Sequence, residues 1–428
     1  MVLSPHALCT FLAAGLTTAA LAQDELQTRI DKALQAARPA LLAHLDAAAK
    51  SGTPGELALV CLAAVHDGVP TDDPVRVRAF AKLAKAVPDQ TYEIALRLLV
   101  LEAAADVPDH AKLVERDGKA LLKHRSRDGG FQYGEAPVGW DLSNTQYGAL
   151  GLRAAAALGV QAERRTWQRL ADLVGEQQDN YGGFGYGMRH GDANDGYASM
   201  TAAGIAVLAI CRQALAGNDA QDRELAQRIQ RGWLWFTRNG SCIGSPRERW
   251  SYYFHYGLER AAILCDVVEI GNKLDWYRAG AGMLVEEQLP GGGWKSLTDG
   301  SPGGHLDKGR GDAVPTSFAV LFLRRKFQKA PRSGPITPRI VNLANLGPAS
   351  KAEDVDACAA QLVQGGKATL ALVVKGMRSE VVAQRRAAAK ALLGITGDSF
   401  DFDPEQDRDS DAARAAVRRA ELWVLQNR

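Results

Sequence analysis

Residues 288–294, Gln288-Leu289-Pro290-Gly291-Gly292-Gly293-Trp294, decide how the chain reads, because the glycine pair and aromatic occur twice upstream, as Gly129-Gly130-Phe131 and Gly182-Gly183-Phe184. The aromatics are 53 residues apart between Phe131 and Phe184, and 110 apart between Phe184 and Trp294, about two further steps. Self-similarity at a fixed period marks a repeat architecture. After these runs come segments rich in small residues, with apolar positions at a helical period: 145–152 and 201–208 align with Gly148 on Gly204. Comparable helices are read at 91–99, 256–264 and 316–323, and a weaker first copy at 56–62.

More ordinary amphipathic stretches lie between them, at 167–177, 222–236 and 276–287. Each unit is therefore an outer helix, a glycine-aromatic turn and an inner helix. The Gly pair permits a tight turn at positive φ, and the aromatic plugs the joint between neighbouring pairs. Gly and Ala on the inner helices let backbones approach on two sides. Six such pairs close into a ring, which predicts an all-α fold, an α/α toroid over 23–330. Pro331, Gly334, Pro335, Pro338 and Gly347-Pro348 then mark a linker over 331–350. Beyond it, helical patterns at 355–363, 369–374, 379–393 and 411–426 predict a small helical unit over 351–428. An acidic loop precedes its last helix, with Asp401, Asp403, Glu405, Asp407, Asp409 and Asp411.

The Gly-Gly-Phe/Trp turns between small-residue helices resemble the repeats of the terpenoid cyclase and protein prenyltransferase superfamily, over roughly residues 54–330. The resemblance implies an α/α toroid. Residues 288–294 hint at the family's fuller Gln-Trp motif, and Asn239-Gly240-Ser241-Cys242-Ile243-Gly244 reads as an eroded fourth turn. Residues 385–393, followed by Ile395-Thr396-Gly397 and Phe402-Asp403-Pro404, look like the end of a HEAT array.

The family's chemistry is not matched residue for residue. Class II cyclases protonate an alkene with the second Asp of Asp-x-Asp-Asp; the nearest run is Asp192-Ala193-Asn194-Asp195, and the amide of Asn194 cannot serve as that acid. No Asp-rich helix offers a class I diphosphate site. The prenyltransferase zinc ligands would fall at Arg249, Ser251 and Pro315, none of which is a ligand. A Gly-Cys-Gly-Glu-Gln thioester signature is absent. No cofactor and no metal site is expected, and an EF-hand reading of the acidic loop lacks its glycine and terminal Glu.

The first turns of the inner helices would line the mouth of the ring. The candidate ligand-binding residues are Trp140, Asp141, Asn144, Tyr147, Asp192, Tyr197, Tyr252, Tyr253, Tyr256, Arg260 and Asp312. The candidate catalytic residues are Asp195, His255 and Glu259. His255 and Glu259 are four apart on one helix face, a spacing at which a carboxylate could orient the imidazole. A polar and aromatic rim suits an unidentified small molecule, a glycan or a protein. The function expected is a binding or scaffolding module. The rivals are an isoprenoid cyclase using Asp195 as an atypical acid, and a glycan-processing enzyme using carboxylates and His255 at the mouth.

The chain has 51 basic and 49 acidic residues, so its balance gives no footprint for nucleic acid. Residues 1–22 hold no Lys, Arg, Asp or Glu and end Ala20-Leu21-Ala22, a small-x-small cleavage pattern that predicts a signal peptide. Export to a periplasmic or extracellular compartment follows, with no membrane span after cleavage. Cys61, Cys211, Cys242, Cys265 and Cys358 would remain, an odd and scattered set that is no disulfide framework.

Overall fold

The computed structural model describes residues 5–135, 138–187, 196–216, 219–248, 250–271, 273–295, 312–325, 343, 346–364 and 369–426, with side chains of the first helix given from Glu25 onward. The chain divides into two compact units, Met1–Ser333 and Gly334–Arg428.

The first unit is a succession of helix pairs: α1 (Pro5–Ser51) and α2 (Pro54–Asp67), α3 (Pro74–Lys85) and α4 (Thr91–Ala103), α5 (His110–His124) and α6 (Leu142–Ala157), α7 (Arg164–Glu176) and α8 (Ala198–Ala214), α9 (Asp219–Arg238) and α10 (Ser251–Cys265), α11 (Trp276–Glu286) and α12 (Ala313–Arg324). Each even-numbered helix packs on the next, and α12 packs back on α2, so the inner six close a ring. The odd-numbered helices form the outer belt, with α1 lying across the seam against α2, α3, α11 and α12. This is an α/α toroid, as the repeats imply. A two-stranded ribbon, β1 (Glu269–Ile270) with β2 (Leu274–Asp275), joins α10 to α11.

Inner and outer helices differ as their sequences require. Along α8 every residue from Ala198 to Cys211 is buried, whereas α7 buries only the stripe of Trp167, Leu170, Ala171 and Val174 with their small neighbours. A helix enclosed on all sides must be apolar or small all round; one at the surface needs a single apolar stripe.

The glycine turns are built identically in three copies. Ser126 N–H bonds Gly130 O, Asp179 N–H bonds Gly183 O and Leu289 N–H bonds Gly293 O, each at 2.9 Å. Gly129, Gly182 and Gly292 have φ of 111°, 93° and 83°, a region open to glycine at little cost. The aromatic N–H that follows donates to a threonine on the next inner helix: Phe131 to Thr145 at 3.1 Å, Phe184 to Thr201 at 3.2 Å and Trp294 to Thr316 at 3.0 Å. The rings of Phe131 and Phe184 then lie on Gly148 and Gly204, where an added Cβ would sit 2.4 and 2.5 Å from ring carbons. The eroded fourth turn keeps the device in part, since Gly244 also has positive φ, 76°, and presses on the backbone of Ala279 in α11.

Closure is sealed at the far ends of the inner helices. Asp67, at the end of α2 and 4% exposed, accepts from Arg324 of α12 at 2.5 and 2.8 Å and pairs with Arg38 of α1.

In the second unit, α13 (Ala352–Gln364), α14 (Leu370–Met377), α15 (Val382–Thr396) and α16 (Asp411–Gln426) pack around Leu362, Val373, Leu392 and Ala420. The acidic loop is tied locally. Asp403 and Asp407 accept from the amides of Glu405 and Asp409 at 2.9 and 3.0 Å, and Arg386 and Arg419 pair with Glu405 and Asp401.

Gly292→Ala should cost about 3 kcal/mol, because it combines positive φ with a Cβ placed 1.9 Å from Ala36 O. Gly68→Ala, at φ 78° with nothing within 4 Å, should cost only about 1 kcal/mol. Urea unfolding of the two variants checks the difference, and equal losses would sink the packing account of the turn.

Candidate functional site

The inner helices all run the same way, so their first turns meet at one end of the ring. That end is laced by backbone bonds between successive units. Thr91 N–H, opening α4, bonds Tyr133 O, and Leu142 N–H, opening α6, bonds Tyr186 O, both at 2.7 Å. Tyr133 and Tyr186 each fall two residues after their turn's aromatic, and their hydroxyls lie 3.1 Å apart.

Asp141 caps α6, accepting from Asn144 N–H and from its side-chain amide, both at 2.8 Å. Burial pushes the Asp141 carboxyl above the usual carboxylate range, and the hydrogen bonds from Asn144 and Tyr186 act the other way. Beside it runs a hydroxyl chain. Tyr92 bonds Ser143, Ser143 lies 3.1 Å from the Tyr253 hydroxyl, and Tyr253 donates to Gln146 Oε1 at 2.9 Å. Burial, with the fields of Asp141 and neighbouring tyrosines, holds the Tyr92, Tyr186 and Tyr253 hydroxyls protonated well beyond the normal range. Tyr133, Tyr197 and Tyr253 are half-buried and Tyr186 is exposed, so this end meets solvent.

Immediately below, the described residues pack closely across the ring. Tyr147 stacks on Tyr256 (6.3 Å) and meets Tyr92 at a tilt (4.2 Å), and Phe318 lies 4.8 Å from Tyr256. Tyr147, Tyr256 and Glu259 are 0% exposed and Phe318 is 1% exposed, so none of them borders a void that admits water. The Arg260 guanidinium sits 3.5 Å over the Tyr256 ring and pairs with Glu259.

Of the candidate residues, Asp141, Asn144, Tyr197 and Tyr253 come together at the mouth. Trp140 is buried against Gly130, Tyr252 donates to Lys295 O at 3.1 Å, and Asp312 is the half-buried residue before α12. Asp192 and Asp195 lie outside the described residues. Tyr147, Tyr256 and Arg260 belong to the filled interior rather than to a ligand surface.

The His255–Glu259 pairing expected from their spacing does not form. His255 Nδ1 meets Ser251 O at 2.7 Å, and Nε2 accepts from Gly244 N–H at 3.0 Å, so the ring is neutral and both nitrogens are engaged. Glu259 turns instead to Arg260. His255 therefore fastens the eroded fourth turn to α10. Tyr92, Ser143, Tyr133 and Tyr186 were not among the candidates; the last two carry a repeat signal, a tyrosine two residues beyond the aromatic, that the sequence offers.

No protein-family model matches the chain, and no curated protein matches it. Among solved structures it is similar to a variant of the type II terpene cyclase MstE from Scytonema in complex with its substrate, geranylgeranyl dihydroxybenzoate. The two are 15% identical with a TM-score of 0.43, covering 71% of this chain and 98% of that one. The apo form of MstE is 14% identical with a TM-score of 0.41, covering 70% and 98%. The α/α toroid itself rests on the packing of this chain's own helices, and a shared fold says nothing of chemistry.

Burial holds the His255 imidazole down at about 4, against 6.5 in a free side chain. Between those values the unfolded chain carries the extra proton. The stability contribution is therefore whole above about pH 6.5 and is lost as the pH falls to about 4, a loss on the order of 3 kcal/mol. His255→Gln keeps an acceptor for Gly244 N–H without titrating, so it should flatten this part of the profile. Urea midpoints across pH 4 to 7 check it; parallel profiles for the two proteins would refute the assignment.

Proposed function

We propose that the chain is an exported binding module that holds a hydroxyl-rich ligand, of the sugar type, at the mouth of the toroid. The observation that carries this reading is the contrast between two adjacent tiers. The mouth presents Tyr133, Tyr186, Tyr197 and Tyr253 to solvent, with Asp141 nearly buried beside them at 8% exposure, while the tier of Tyr147, Tyr256 and Phe318 beneath is at most 1% exposed. An isoprenoid chain needs a deep apolar hollow, and the filled tier speaks against one there. A shallow floor of phenol hydroxyls and aromatic faces beside a carboxylate suits stacking and hydrogen bonding to a sugar.

Export rests on the signal-like composition of residues 1–22. Among the described residues, α1 packs on the ring through Leu26, Ile30, Leu34 and Leu41, all beyond that segment. The raised Asp141 carboxyl favours one second reading, a glycan-processing enzyme in which it donates a proton.

Thermal-shift and calorimetric titration of the chain from Gln23 onward, against cell-wall and plant glycan fragments and isoprenoid diphosphates, tests both readings. Asn is as good a helix cap as Asp, so Asp141→Asn should fold. A glycan should bind, and Asp141→Asn or Tyr253→Phe should weaken it at least tenfold, about 1.4 kcal/mol. Glycan cleavage that Asp141→Asn abolishes would select the enzyme. An isoprenoid ligand with no glycan binding would overturn the proposal.

A further inference from the structure

Three of the ring's joints share a slot six residues before the turn aromatic, and one of them is filled by the wrong chemistry. Gln178 donates its side-chain amide to Gly182 O at 3.0 Å and to Arg228 O of α9 at 2.8 Å. Gln288 donates to Gly292 O and to Ala33 O of α1, both at 2.8 Å. The same slot before Phe131 holds Arg125. Its Nε and Nη1 are buried and meet no acceptor.

The surroundings of Arg125 are cationic. Arg169 of α7 lies against the same turn, its Cβ and carbonyl 3.3 and 3.4 Å from where Gly129 would carry a Cβ. Arg165 stands one turn earlier on the same face of α7, and both side chains are exposed. Burial, then Arg169 and Arg165, disfavour the Arg125 charge, and Glu163 opposes them. Among the described residues neither Arg165 nor Arg169 is in an ion pair. Arg125 is half-buried, and a guanidinium with two buried, unmet donors is costly; two further cations beside it raise that cost. Water would satisfy the donors but not the charge. An oxyanion satisfies both, and guanidinium is the group best matched to it.

We propose that the joint between the turn at 125–131 and α7 is an oxyanion site, in which Arg125, Arg165 and Arg169 hold one phosphate- or sulfate-type group. It is independent of the ligand proposed for the mouth. The group can be a free ion or the headgroup of an anionic lipid.

The test titrates the mature chain with inorganic phosphate by calorimetry, with chloride holding the ionic strength fixed. Arg125→Gln installs the residue that the other two joints use, so it should fold and melt no lower than the parent in phosphate-free buffer. Phosphate should bind the parent saturably, and both Arg125→Gln and the double variant Arg165→Gln/Arg169→Gln should bind at least tenfold more weakly. Co-sedimentation with phosphatidylglycerol vesicles, against pure phosphatidylcholine, separates the sources. Vesicle binding lost in the same variants assigns a headgroup, and phosphate binding without vesicle binding assigns a free ion. No saturable heat with the folded parent, or unchanged affinity in Arg125→Gln, overturns the proposal.

Discussion

The bond from an aromatic amide to a threonine hydroxyl governs this ring. When Phe184 N–H reaches Thr201, the turn is fixed to the inner helix, the phenyl ring is laid on Gly204, and Gly182 is pressed on Arg231 of the next outer helix. One residue thereby sets the spacing of three elements. None of the partners tolerates much change: a Cβ on Gly204 enters the ring, and one on Gly182 comes 2.3 Å from Arg231 O. Repetition of the device at Phe131 and Trp294 explains why separate helix pairs accumulate into one curvature.

A ring assembled from neighbours has one joint that sequence proximity does not make. Here it lies between α12 and α2, and α1 covers it. Trp294's turn docks on α1 through Gln288 and Ala33, so the first helix of the chain serves as the outer partner of the last repeat. Asp67 fastens the other end by taking both Arg38 and Arg324. A nearly buried carboxylate between two cations is strongly destabilising to break, whatever its net worth when formed. Closure thus adds a charged clamp to the packing and turn hydrogen bonds that the other joints use.

The ring was legible because its determinants are local. Glycine pairs, aromatics and small-residue helices repeat in sequence, and each has a reason that needs no knowledge of the rest of the fold. Much of the mouth was legible for the same reason, since Asp141, Tyr197 and Tyr253 occupy first turns. The His255 reading failed because helix spacing says which side chains share a face but not which neighbours arrive from elsewhere. Gly244, eleven residues earlier, brings an amide to Nε2, and Ser251 O takes Nδ1, so Glu259 has nothing to orient. Tyr92 and Ser143 were missed because their bond spans two units. Arg125 was visible as a basic residue in a turn, but its meaning emerges only when Gln178 and Gln288 show what that slot normally does.

The filled interior follows from the same residues that make the ring. Gly151 of α6 lets the backbone of α4 approach until an added Cβ would sit 2.9 Å from Ala95 Cα, and close approach of this kind leaves the centre narrow enough for Tyr147 and Tyr256 to occupy. A barrel packed this way has little freedom to host chemistry at its middle, because opening it would expose the Glu259–Arg260 pair and forfeit the tyrosine contacts together. Variation is cheaper at the ends and the joints, where one side chain can change without moving a helix. His255 at the fourth turn and Arg125 at the first are such changes: one keeps the joint by other means, and the other leaves donors that the repeat itself does not use.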